Sequence, residues 1–130
     1  MDKRGNIWDN DTGAAMKILI VIENEKLVSV VEEALAAEGH QLIFSADPVD
    51  VMKNMSETPD CIIFNFEDFP YHWKPVWQFF RCDLILLTGR TFTLRDRAEA
   101  AFLGITAQIP WNVEVKTFTE YLKKAVQKTR

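Results

Sequence analysis

The sequence predicts an α/β fold, a doubly wound five-stranded parallel sheet with helices on both faces. Three observations carry that expectation. From residue 16 onward, short apolar runs alternate with segments of helical period. The runs at 17–22, 61–66 and 84–87 are nearly continuous in aliphatic residues, as strands covered on both faces require. Capping residues or helix-ending glycines bound most of the segments between them.

Residues 1–15 (MDKRGNIWDNDTGAA) have no apolar period and read as a flexible N-terminal extension or an added leader, with Met16 as the start of the folded unit, residues 16–130. The first strand, 17–22, places Ile18, Leu19, Ile20 and Val21 in succession. Asn24 is a helix cap, and Leu27, Val30, Val31, Ala34 and Leu35 fall on one stripe of the helix that Gly39 ends. A second strand spans 41–45. Asp47-Pro48 opens a short helix as cap and first residue, with Val51, Met52 and Met55 inward and Thr58-Pro59 closing it. The third strand is 61–66. Residues 68–81 (DFPYHWKPVWQFFR) hold two prolines and a run of aromatics, so at most a short helix after Pro75 fits there. A fourth strand covers 84–87. Thr93 and Asp96 form a capping-box pattern, and Leu94, Ala98, Ala101 and Phe102 supply the inward face of a helix that stops at Gly104. The fifth strand is 105–109. A last helix begins near Asn112, buries Val115, Phe118, Leu122 and Val126, and carries Lys123, Lys124 and Lys128 where cations oppose the helix dipole.

Composition narrows the function. A chain of 130 residues, 48% hydrophobic and 26% charged, fits one folded domain. No apolar run approaches the roughly 20 residues of a membrane span, and the polar N-terminus has no signal-peptide core, so neither membrane insertion nor conventional secretion is expected. With 15 basic and 19 acidic side chains the net charge is -4, which disfavours nucleic acid as a partner. Cys61 and Cys82 form no CxxC pair and no metal spacing; reduced thiols in a cytoplasmic protein are the economical reading. No phosphate-loop or GxGxxG pattern occurs, so nucleotide binding has no positive support and no cofactor is expected, and no Cys or His spacing marks a metal site. His40 follows a helix-ending glycine and is expected at the surface. His72 has no triad or zinc partner at a suitable spacing.

In a doubly wound sheet, ligands and catalytic groups gather beyond the carboxyl ends of the strands. The residues there are Ile22, Glu23 and Asn24, then Asn65 to Asp68, then Thr88 and Gly89, then Ile109 and Pro110. In strand and helix order and in four stretches, IVIEN at 20–24, PDCIIFN at 59–65, LLTG at 86–89 and QIP at 108–110, the chain resembles the receiver domains of bacterial two-component response regulators over residues 16–128. The resemblance implies a strand order of 2-1-3-4-5 with a shortened or remodelled third helix. It also implies a reaction centre of two metal-binding acids, a phospho-accepting aspartate, a hydroxyl and a lysine. Here Ile22 and Glu23 stand where the acids belong, Asn65 where the acceptor belongs, Thr88 supplies the hydroxyl, and neither Ile109 nor Pro110 can act as the lysine. Magnesium prefers several charged oxygen ligands, and a neutral amide is a poor nucleophile for an acyl phosphate. The resemblance therefore implies a pseudo-receiver, outside phosphorelay chemistry and not an enzyme. Glu67 or Asp68 could serve as acceptor only in a shifted register. The aromatic that receivers rotate inward on the fifth strand would lie at Thr106 or Ala107, neither of which can make that movement.

Two surfaces suggest a protein partner. Residues 69–80 carry six aromatic rings. Phe69, Tyr71, Trp73, Trp77 and Arg81 are partner-binding candidates, since Trp, Tyr and Arg dominate interfaces, while about half the rings are expected to cover the sheet. The resemblance also implies a possible homodimer through the fourth helix, fifth strand and fifth helix, a mixed-charge face that includes Arg95, Arg97, Glu99, Glu114, Lys116, Glu120, Tyr121 and Lys124. The alternative functions are a small-ligand-binding flavodoxin-like domain, with the ligand over Glu23, Asn65 and Thr88, and an unorthodox phospho-accepting regulator.

Overall fold

The first strand, β1 (Lys17–Val21), decides the layering through its alternation. Ile18 and Ile20, with Ile63 and Ile85 of neighbouring strands, face one helical layer, while Leu19 and Val21, with Ile62, Phe64, Leu84 and Leu86, face the other. In this computed structural model, residues 15–129 are described; all of the 1–15 extension except Ala15 lies outside them. The remaining elements are α1 (Glu25–Leu35), β2 (Gln41–Ser45), α2 (Pro48–Asn54), β3 (Cys61–Asn65), α3 (Trp73–Phe80), β4 (Asp83–Thr88), α4 (Leu94–Leu103), β5 (Ala107–Pro110) and α5 (Val115–Lys128). All strands pair in parallel, in the order β2-β1-β3-β4-β5. This is the expected doubly wound fold. Among the described residues no helix is long and apolar enough to cross a membrane.

The caps are where the residue types require them. Asn24 Oδ1 accepts from Leu27 N–H at 3.1 Å, and the Asp47 side chain accepts from the Val49 and Asp50 N–H groups ahead of Pro48. Thr93 and Asp96 close a reciprocal capping box, and Gly39 and Gly104 adopt the left-handed conformation at helix ends. The third helix begins two residues before Pro75 and runs eight residues. A proline in the first turn lacks only an N–H that would have no intrahelical partner.

Four expectations are corrected. On α4 only Ala100 is buried; Ala98 and Ala101 are exposed, as are Leu94 (80%) and Phe102 (89%), so the stripe read as core faces solvent. The reason is position: α4 lies against the end of the sheet, beside the four-residue strand β5. Val115 is exposed because α5 begins there, three residues later than expected. His40 is not a surface residue. Its side chain is mostly buried, and Nδ1 accepts from Met16 N–H at 3.0 Å, which holds the entry to β1. Trp73, proposed for an interface, is 3% exposed and packs in the core beneath α3.

Candidate functional site

Strands β1, β3 and β5 end together at one corner, and Asn65 lies in its centre, fully buried. The pairing of Asn65 with Leu87 fixes the register of β3 against β4, so Asn65 occupies the strand end and neither Glu67 nor Asp68 can replace it there. Both ends of its amide are engaged. Trp111 Nε1 donates to Asn65 Oδ1 at 3.1 Å, and Asn65 Nδ2 donates to Asp68 Oδ2 at 2.8 Å. The same Asp68 oxygen accepts from the backbone N–H of Glu23 at 2.7 Å and of Asn24 at 3.1 Å. One carboxylate oxygen thus collects three donors at the entry to α1, where the helix dipole also favours negative charge.

This arrangement explains what each expected residue does. Ile22 is buried at 3% and belongs to the core under α1 and α5, where it can hold no metal. Glu23 is exposed, and the group it brings to the corner is its backbone N–H. Ile109 is buried, and Pro110 pairs with Thr88 across β4 and β5. Thr88 is 5% exposed, and its carbonyl accepts from Trp111 N–H at 2.9 Å, which positions the indole. Thr88 also lines a separate groove of about 520 Å3 between α4 and β5, beside Ala107. Thr106 lines the same groove; its hydroxyl donates to Asp83 Oδ1 and accepts from Leu84 N–H, and it carries no ring to move. Over Asn65, where the alternative reading sets a small ligand, the Asp68 carboxylate and the Trp111 indole hydrogen-bond to the amide. Among the described residues no three His, Cys, Asp or Glu side chains converge as a metal site.

Sequence reasoning missed Trp111 and the role of Asp68. The available signals were an aromatic N–H donor directly after Pro110 and an acid three residues beyond Asn65, within reach of the α1 entry. Glu67 also has a structural partner: Oε2 accepts from Thr91 N–H at 2.6 Å and from the Thr91 hydroxyl. Its side chain crosses Gly89 so closely that a Cβ there would lie 2.8 Å from Glu67 Cγ and closer still to the carboxylate. A side chain at residue 89 would have to displace the Glu67 carboxylate from Thr91.

The aromatic segment is divided by burial. Phe69 is half-buried against Phe64, ring centroids 6.1 Å apart, and Trp73 stacks on Trp77 at 6.4 Å. Trp77 is half-buried and donates to the Cys82 carbonyl at 2.8 Å, beside Arg81 in a shallow depression. Tyr71 (88%) and Phe79 (56%) are exposed. Burial raises the Cys61 thiol, and burial with the nearby Asp83 and Asp60 pushes Cys82 up to about 12, so both stay protonated and weakly nucleophilic at neutral pH.

The fold is that of receiver domains. Solved structures similar to this chain include the signal receiver domain of an HD domain-containing protein from Pseudomonas fluorescens Pf-5, 21% identical, TM-score 0.69, covering 88% of this chain and 97% of that one. A response regulator receiver domain protein from Clostridium thermocellum is 13% identical with a TM-score of 0.65, covering 86% and 94%. A response regulator from Thermotoga maritima is 14% identical with a TM-score of 0.65, covering 86% and 98%. Within that fold, the TP_0454_N N-terminal domain family matches residues 16–105, and the chain belongs to this family. An uncharacterized protein of Treponema pallidum (strain Nichols) is 28% identical over 105 residues, 75% of this chain and 46% of the relative. The chain thus spans less than half the length of the curated relative it matches.

Proposed function

We propose that this domain is a non-catalytic, phosphorylation-independent signal-transduction module, a pseudo-receiver that acts through protein–protein contacts. The observation that supports it is the state of residue 65. A neutral amide, fully buried and bonded at both ends, stands where phosphoryl transfer needs a free carboxylate, and the donor from the end of β5 is a neutral indole in place of a cation. Cys61 and Cys82 as free thiols fit a cytoplasmic location. Intact-mass measurement after incubation with acetyl phosphate and magnesium tests the chemistry: the expected result is no mass gain, and phosphate found on Asp68 or Glu67 would overturn the reading.

The partner surface is narrower than the aromatic count suggests. Tyr71, Trp77, Arg81 and Phe79 remain available, while Trp73 and most of Phe69 belong to the interior. Capture of protein partners by the wild type and by a Tyr71→Ala, Phe79→Ala variant tests this, with loss expected in the variant. The exposed Leu94 and Phe102 on α4 favour a homodimer through α4, β5 and α5. Glu99 leaves that mixed-charge face to pair with Lys74 of α3. Sedimentation of the wild type against Leu94→Ser, Phe102→Ser is expected to shift from dimer to monomer.

A further inference from the structure

Between the β3–α3 loop and the starts of α3 and α4 lies a cleft of about 510 Å3 whose chemistry is unrelated to the Asn65 corner. Its walls include the buried ring of Trp73 and, at the rim, the ring of Tyr71, which is 88% exposed. Its charged groups are three carboxylates, Glu67, Asp96 and Glu99, against one ammonium, Lys74. Two of the carboxylates are fixed in place, Glu67 by Thr91 and Asp96 by the Thr93 N–H at 2.9 Å. Each oxygen can accept a further bond.

The cleft already holds a cation of its own chain. Lys74 Nζ lies 5.7 Å from the centroid of the Trp73 ring and 2.6 Å from Glu99 Oε2. Aromatic faces beside carboxylates attract cations by ring quadrupole and by charge together, and the internal lysine leaves the balance negative. A planar guanidinium suits the remaining space better than a second ammonium, because it stacks on an exposed ring while its fork bridges two carboxylates.

We propose that this cleft receives an arginine side chain of a partner protein. The proposal rests on the partner-binding reading above and gives that partner a chemistry. It is tested by titrating the full chain with a capped (Arg-Gly)3 peptide and with the same peptide carrying citrulline for arginine, followed by calorimetry and amide NMR shifts. Saturable binding of the arginine peptide, with shifts at Tyr71, Lys74, Thr91 and Glu99, is expected, and no binding of the citrulline peptide. Lys74→Met empties the cleft of its internal cation and is expected to tighten binding about two- to threefold, while Glu99→Gln weakens it by a similar factor. Lys26→Met and Glu120→Gln make the same charge changes elsewhere and are expected to have smaller effects. Equal tightening by Lys74→Met and Lys26→Met, equal binding of both peptides, or shifts outside the cleft would overturn the proposal. So would a partner captured through Tyr71 and Phe79 that keeps its affinity when its arginines are replaced; that result leaves the broader partner-binding reading intact.

Discussion

Helices on opposite faces of the sheet, α1 and α5 against α4, treat similar sequence patterns in opposite ways. Under one face of the sheet, α1 and α5 bury stripes read from their period, including Leu27, Val31 and Leu35 on α1 and Phe118, Leu122 and Val126 on α5. On the other face, α4 carries Leu94, Ala98, Ala101 and Phe102 at helical spacing and buries none of them; only Ala100 reaches the core. Periodicity reports that a helix has an apolar stripe, whereas the sheet beneath decides whether the stripe is covered. The α5 stripe joins the isoleucines of the central strands in one core, while α4 stands beside the short edge strand β5.

That contrast sets the order of expected effects. Leu122→Ala opens a void in the α1–α5 layer and is expected to cost about 2–5 kcal/mol in urea or thermal unfolding; a loss below about 1 kcal/mol would show that the α5 stripe is no better covered than that of α4. Asn65→Asp ranks next. It removes the amide donor to Asp68 and sets a second carboxylate beside the first in a buried corner, with an expected loss of about 1–3 kcal/mol near neutral pH. Desolvation and the neighbouring charge raise the pKa of the new acid, so the loss is present above that pKa and shrinks as pH falls through it. Equal destabilisation from pH 7 to pH 4 would count against the Asp68 contact.

The Cys82 thiol gives a smaller effect on the α2–α4 side. Cys82 ionises near 9.0 in the ordinary case and near 12 when folded. A raised pKa keeps the folded chain protonated while the unfolded chain loses its proton, so the thiol's contribution to stability is whole below its ordinary pKa and falls away as pH climbs toward the raised one, about 12. Alkylation of Cys82 at pH 8 is expected to be at least about a hundredfold slower in the native state than in urea, given that the thiolate is the reactive form. Rapid native labelling would place the thiol outside the packed layer. The smallest effect is expected for Phe102→Ser in the dilute, monomeric chain, within about 0.5 kcal/mol, and a loss above about 2 kcal/mol there would mean that the α4 stripe is covered by its own chain.

Much of this fold could be read from residue types alone. Asn24, Asp47, Thr93 with Asp96, Gly39 and Gly104 mark helix ends by local hydrogen bonding and backbone freedom, which need no knowledge of the rest of the chain. The aliphatic runs of β1, β3 and β4 announce burial on both faces. The candidate site was legible only as a set of missing groups, at Ile22, Asn65, Ile109 and Pro110. What replaces them was hidden because it arrives from distant positions: Asn65 is bound by Trp111, 46 residues away, and the α1 entry by Asp68, 45 residues from Glu23. His40 misleads for the same reason, since its partner Met16 lies 24 residues earlier.

The bonds at the corner also decide what a single substitution at residue 65 would meet. A single base change that turned residue 65 acidic would meet Asp68 already holding the donors a phosphoryl group would want, and the indole after Pro110 would lie where positive charge is required. A free carboxylate at residue 65 would therefore need changes at Asp68 and Trp111 as well, since each holds one end of the present amide.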